Sequence, residues 1–202
     1  MKHKVITIGC EYGAGGPEIG KRIAQALGIE FYDRDLVDKV VEQIGVDRDL
    51  VKKADAGSNV LYSFETQYGP RYANLTNRVI YNQFEVIQKF AEKSSCVIIG
   101  RSADYILKDS KDIKLLRAFI YAPDEIRIQN IMKSHSLSES DAKILLLEKD
   151  KRYHKRHLAL TGSNRGDRHN RDILINSAFL GVEGTAEYLE ELIQKKYGSG
   201  EE

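Results

Sequence analysis

The sequence predicts a three-layer α/β domain, a parallel sheet of about five strands covered on both faces by helices. Two observations predict it. Short β-branched apolar runs alternate along the chain with segments of helical apolar periodicity, as strands joined by crossover helices do. The one dense glycine cluster, Gly13-Ala-Gly-Gly-Pro17, falls between the first such run and the first such helix. A third observation, a cation-rich helical segment within 138–171, predicts an excursion from that core.

The elements follow in order. Val5 to Ile8 is β-branched and bounded by Gly9, so it reads as a strand. Pro17 suits the first turn of a helix, Ile19, Ile23, Ala26 and Leu27 give that helix an apolar face, and Gly28 stops it. Asp35 is the expected cap of a second helix bearing Leu36, Val37, Val40, Val41 and Ile44 and ended by Gly45. Residues 55–73 read as a long irregular connection, and Leu75 to Phe90 as a helix. Cys96 to Ile99 and Leu116 to Tyr121 read as buried strands, and Pro123-Asp-Glu opens a helix with acids at its positive end. Ser138-Glu-Ser-Asp141 resembles a capping box for a long helix through Lys155. Asp172 to Asn176 is a last strand, and Val182 to Tyr197 a closing helix. One domain over 1–202 results, its core about 4–135 and 172–197, with the lid at about 138–171.

Composition narrows the function classes. Hydrophobic residues make 42% and charged residues 30% of the 202, ordinary for a soluble enzyme. Lys plus Arg number 31 against 30 for Asp plus Glu, a net +1 that argues against a general nucleic-acid binder. No apolar stretch approaches the roughly 20 residues of a membrane span, and the start is too short for a secretory apolar core. Cys10 and Cys96 cannot make a disulfide framework or a metal cluster, and each beside a strand reads as a small buried thiol in a reducing cytoplasm.

Four features carry chemistry. A glycine loop between strand and helix makes an anion cradle, or only a tight turn for close packing. The strict phosphate-loop pattern is incomplete here, with Cys10 at the first glycine, Gly16 at the lysine and Pro17 at the hydroxyl position. Lys151, Arg152, Lys155 and Arg156 read as a solvated helix face or as a flap closing on phosphates. Arg101, just past a buried strand, emerges where open α/β sheets bind ligands, as a phosphate fork or an ordinary surface arginine. Asp33, in Phe31-Tyr-Asp33-Arg34-Asp35, stands at another strand end as a base or nucleobase contact. His154 and His157 read as exposed, and no metal-ligand set is assignable.

Together these segments resemble the cytidylate kinase-like family. Val5 to Leu27 is similar to its opening strand, loop and helix, and Leu27 to Asp33 to its second strand. Cys96 to Asp104 is similar to its V-I-x-G-R segment, Glu148 to Arg156 to its arginine-bearing lid, and Asp172 to Gly184 to its closing strand and helix. The resemblance implies a P-loop nucleoside monophosphate kinase-like fold that uses ATP and Mg²⁺. It places ATP on Tyr12, Gly13, Ala14, Gly15, Gly16 and Glu18, transferring phosphate on Arg152 and Arg156, and the monophosphate near Asp33 and Arg101. The family's loop lysine and threonine align here with Gly16 and Glu18, and its G-R-D triplet reads Gly100-Arg101-Ser102. The expected activity is transfer of the ATP γ-phosphate to a nucleoside monophosphate, CMP or dCMP first. The alternative is a kinase fold that binds a nucleotide or partner without turnover. Small-molecule nucleotides are the expected partners, with no nucleic acid and no membrane. Arg101 replacement is expected to weaken monophosphate binding and leave thermal stability little changed.

Overall fold

A computed structural model describes residues 2–43 and 70–198 of the chain. Five strands form one all-parallel sheet: β1 (His3–Cys10), β2 (Glu30–Tyr32), β3 (Cys96–Ile99), β4 (Ile113–Tyr121) and β5 (Ile173–Asn176), in the order β2-β3-β1-β4-β5. The described helices are α1 (Gly16–Leu27), α2 (Arg34–Gln43), α3 (Pro70–Lys93), α4 (Ala103–Ile106), α5 (Asp124–His135), α6 (Glu139–Thr161) and α7 (Ser177–Tyr197). None is long and apolar enough to cross a membrane.

Side chains alternate across each strand and so feed two cores. Ile6 and Ile8 of β1 pack with Ile19 and Ile23 of α1 and Leu189 and Ile193 of α7. Val5, one residue away, packs on the other face with Val37 of α2 and Val79 and Ile87 of α3. Helix, sheet, helix is therefore the layer order. A separate cluster, Ile128 and Ile131 of α5 with Ala142 and Leu146 of α6, anchors the lid helix to α5.

Several boundaries differ from the sequence-based reading. Residues 70–73 are the first turn of α3, where Pro70 costs no hydrogen bond; 55–69 and the expected helix end at Ile44-Gly45 lie outside the described residues. Asp33, not Asp35, caps α2, its Oδ1 accepting from Leu36 N at 2.7 Å. The capping box at Ser138 forms, its Oγ accepting from Asp141 N at 3.2 Å. However, α6 runs past Lys155 because no breaker precedes Gly162, whose left-handed backbone ends it. The closing helix starts at Ser177 and breaks at Gly181 (φ 69°, ψ 177°), with Asn176 capping the extra turn.

Candidate functional site

The sheet order reverses at β1, between β3 and β4, so crossovers diverge and leave a crevice beyond its carboxyl end. The loop 11–15 fills that position. Its carbonyls are tied by neighbours: Arg127 Nη1 donates to Tyr12 O at 3.3 Å, Asn130 Nδ2 to Gly13 O at 2.8 Å, and Ser177 Oγ to Ala14 O at 2.8 Å. Each bond contributes about 0.5–1.5 kcal/mol, more from the charged donor. The amides of Gly13, Gly15 and Gly16 meet no acceptor among the described residues. A set of amides free to donate, beside the positive end of α1, is an anion cradle.

Two glycines in the cradle are compelled by packing. Gly13 has φ +83°, and a Cβ there would stand 2.8 Å from Arg127 O. At Gly16 a Cβ would stand 2.5 Å from Cys10 Sγ. Residue 16 is the lysine position of the strict phosphate-loop pattern, and here the Cys10 thiol fills the space its side chain would enter. Arg127, 5% exposed, holds the loop's outer side in place. It bonds Asp124 and Asp150, each at 2.6 Å, and lies 3.5 Å from Glu11. Burial lowers its pKa, but the bonds to Asp150 and Asp124 outweigh that and leave it raised.

Beside the loop, β2, β3 and α6 bring Arg34, Arg101 and Arg156 together. Arg101 is 5% exposed and donates to the Asp38 carboxylate. Asp38 Oδ1 accepts from Gln83 Nε2 at 3.3 Å, and Gln83 Oε1 accepts from Arg156 Nη2 at 2.7 Å. A buried polar chain thus joins α2, α3 and the lid helix to the end of β3. Burial lowers the pKa of Arg101 most, and repulsion from Arg156 and Arg34 adds to it. The same two causes, burial and then Arg34, lower that of Arg156. Burial also pushes the Asp38 carboxyl up, against the pull of Arg101. Clustered guanidiniums that repel one another are stabilised by any anion placed among them.

Tyr153 of α6 sits within this group, with Arg34 at 4.2 Å from its ring centroid and Arg165 at 5.1 Å. Burial raises its phenol's pKa, but the charges of Arg34 and Lys149 and bonds from Arg152 and Arg34 turn the net shift downward. Beyond it, a cleft of about 310 Å³ is lined by Glu11, Phe119, Asp150, Lys151, His154 and Arg165.

The residues singled out from the sequence divide accordingly. Tyr12, Gly13, Ala14, Gly15 and Gly16 form the loop; Arg101 and Arg156 share the polar chain. Arg152 is half-buried, its Nε without a hydrogen-bond partner among the described residues. Asp33 spends one carboxylate oxygen on the α2 cap. Glu18 is exposed and pairs with Arg22 at 3.4 Å, apart from the arginine group. Sequence reasoning missed Asp38, Gln83 and Arg127. Gln83 had a readable trace, a polar residue at core spacing between Val79 and Ile87.

His157 is buried rather than exposed, because α6 continues past Lys155 and sets it against the turn after β3. Its Nδ1 lies 3.1 Å from Ser102 Oγ. Burial pushes its pKa down to about 4, with Arg171, Arg165 and His154 adding and Asp104 opposing. The unfolded chain therefore binds a proton that the fold rejects, and this contribution to stability is complete above about pH 6.5. It is expected to fall by about 2 kcal/mol as pH drops from the unfolded toward the folded pKa. Urea unfolding of the parent and His157→Gln across that window should show a flatter pH slope in the variant; equal slopes would assign the acid sensitivity elsewhere.

A model of the cytidylate kinase-like family matches residues 5–178. The chain is similar to a cytidylate kinase of Thermococcus sibiricus, 26% identical over 135 residues covering 67% of this chain and 66% of that protein. The aligned stretch thus spans just under two thirds of that relative. Among solved structures, an uncharacterized protein from Eubacterium ventriosum superposes with TM-score 0.74 at 26% identity, covering 96% of this chain and 99% of that one. Shikimate kinase from Bacteroides thetaiotaomicron, at 14% identity and TM-score 0.53 over 95% and 98% of the two chains, shares the fold. The family match runs from β1 into the first turn of α7 and takes in the glycine loop, the arginine group and the lid helix. On a P-loop kinase fold, the chain is a member of the cytidylate kinase-like family.

Proposed function

We propose that the protein transfers the γ-phosphoryl group of ATP to a nucleoside monophosphate, with CMP and dCMP the preferred acceptors. The observation that carries this reading is the pairing, beyond the sheet's carboxyl end, of the glycine loop's amides with the arginine group, both touched by α6. Asp150 Oδ1 accepts from Tyr12 N at 3.3 Å on the loop side, while Arg156 bonds Gln83 on the acceptor side. Phosphoryl transfer is mostly positioning and charge neutralisation, and this arrangement supplies both. The loop amides of Gly13, Gly15 and Gly16 hold the donor's phosphates. Arg152 and Arg156 meet the transferring group from the lid. Arg101, with Arg34 beside it, holds the acceptor's phosphate, and Asp33 at the end of β2 faces the base.

Among the described residues no three His, Cys, Asp or Glu side chains converge as a metal cage. Mg²⁺ arrives with phosphates, keeps several waters and takes one or two carboxylates from the protein. Glu11 and Asp150 of the cleft, and Glu18 through water, are the carboxylates that would hold it, and it would neutralise charge on the transferring phosphoryl group. The free thiols Cys10 and Cys96 suit work in the reducing cytoplasm. Cys10 packed where the loop lysine would leave Gly16 favours a second reading, a nucleotide binder without turnover.

A coupled assay over CMP, dCMP, UMP, AMP and GMP, with calorimetry of ATP·Mg²⁺ binding, separates the two. Turnover highest with CMP or dCMP is expected. ATP binding with no monophosphate consumed would establish the binder instead, and absence of ATP binding would remove both.

A further inference from the structure

We infer that Arg165, on the loop that follows α6, replaces the missing phosphate-loop lysine as the cation facing the donor's phosphates. The inference rests on the proposed reading of the glycine loop as the ATP site. Residue 16 faces residue 10: a Cβ at Gly16 would stand 2.5 Å from Cys10 Sγ and 2.6 Å from Cys10 Cβ. A lysine at position 16 would therefore have to run along residue 10 to reach a phosphate on the loop. Gly16 sends no side chain along that route, but a guanidinium reaches residue 10 from another part of the chain. Arg165 Nη2 donates to Cys10 O, the carbonyl of the residue in the pattern's first position. The charge absent from residue 16 is thus supplied beside residue 10, from a partner 155 residues away in sequence.

Its surroundings keep it there. Arg165 lies 5.9 Å from the Phe119 ring centroid and 5.1 Å from that of Tyr153, and Gly166 presses the next backbone unit against Phe119. Nη1 is 3.5 Å from Asp150 Oδ1, the carboxylate whose oxygen also accepts from Tyr12 N in the loop. Lys151 and His154 line the same cleft together with Glu11 and Asp150, the carboxylates proposed for Mg²⁺. Arg156, by contrast, bonds Gln83 on the proposed acceptor side of the crevice. A cation delivered by the lid, rather than by the loop, would make tight phosphate binding depend on lid closure.

The test is calorimetry of ATP·Mg²⁺ and of inorganic tripolyphosphate, which has no base or sugar, on the parent, Arg165→Gln and Arg165→Lys. The expected result is a loss of about tenfold to a hundredfold for both probes in Arg165→Gln, with Arg165→Lys keeping most of the affinity. A triple variant, Arg165→Gln with Cys10→Gly and Gly16→Lys, should recover binding by restoring the loop's own cation. A parent that binds while Arg165→Gln binds equally well would overturn this inference and leave the proposed function standing. A parent that binds neither probe would remove the proposed function, and this inference with it. Should Arg165→Gln fail to fold, parent crystals soaked with tripolyphosphate decide. A guanidinium nitrogen within about 3.2 Å of a phosphate oxygen supports the inference, and a guanidinium left on Cys10 O beside an occupied loop refutes it.

Discussion

Arg101→Ala is expected to unfold well below the parent's melting temperature. The substitution takes from the Asp38 carboxylate its bond to a guanidinium that is itself nearly inaccessible, leaving Gln83 on its other oxygen. Removing one partner of a buried ion pair costs about 3–5 kcal/mol. For a chain of this size that is a fall of roughly 6–20 °C. The sequence-based expectation, that stability would hardly change, is thus corrected by burial. The backbone adds a cost that Ala keeps and Gly would relieve: Arg101 has φ 55° and Ser102 φ 54°, a left-handed pair after Gly100. Arg101→Gly relieves about 1–2 kcal/mol of that conformational cost and should melt above Arg101→Ala. Arg101→Ala with Asp38→Ala, which removes the stranded charge, should recover part of the loss. Arg101→Lys keeps a charge for Asp38 but loses the planar fork. It should fold nearly as the parent does and bind CMP about thirtyfold more weakly, the equivalent of about 2 kcal/mol. Parent-like melting in Arg101→Ala would refute the buried-pair account. Parent-like CMP affinity in Arg101→Lys would move the acceptor site elsewhere.

The second large effect is expected at the loop. Gly13→Ala meets two penalties at once, a positive φ of +83° and a new Cβ 2.8 Å from a backbone oxygen of α5. The first costs about 1–2 kcal/mol and the second about 1–3, since a carbonyl cannot rotate away as a side-chain tip can. Relief requires α5 to withdraw, and α5 carries Arg127 and Asn130, the donors that hold the loop carbonyls of Tyr12 and Gly13. Gly13→Ala should therefore lose stability and nucleotide affinity together. Arg127→Lys, which leaves the loop backbone alone but cannot span Asp124, Asp150 and Tyr12 O, should lose affinity with a smaller drop in melting temperature. Thermal melts paired with ATP·Mg²⁺ titrations read both quantities. Unchanged ATP affinity in a folded Gly13→Ala would mean that the loop geometry does not serve the phosphates.

Much of the fold was legible because its determinants are local. Strand β1, the glycine loop and α1 occupy the first 28 residues, and each is declared by β-branching, glycines and a 3.6 period within that stretch. Local grammar also misled where two residues competed for one role. Asp33 and Asp35 are both plausible caps, and only the path of the chain out of β2 selects Asp33. His157 lies three residues from His154 on a cation-rich helix, yet one is buried and the other exposed, since the turn after β3 lies against His157.

The sequence by itself determined the order of strands and helices, the phosphate loop with its missing lysine, and the family. Those properties are written in runs of fewer than about 20 residues, where period, propensity and turn chemistry act. The tertiary structure alone decided what each charged side chain meets. Arg101 finds Asp38 across 63 residues, Arg156 finds Gln83 across 73, and Arg165 reaches Cys10 across 155. Such pairings depend on which strands neighbour β1 and on where α6 lies over the crevice, and no short window of sequence contains that information. Burial also gave Arg101 a carboxylate partner, Asp38, because a guanidinium leaving water needs a carboxylate beside it.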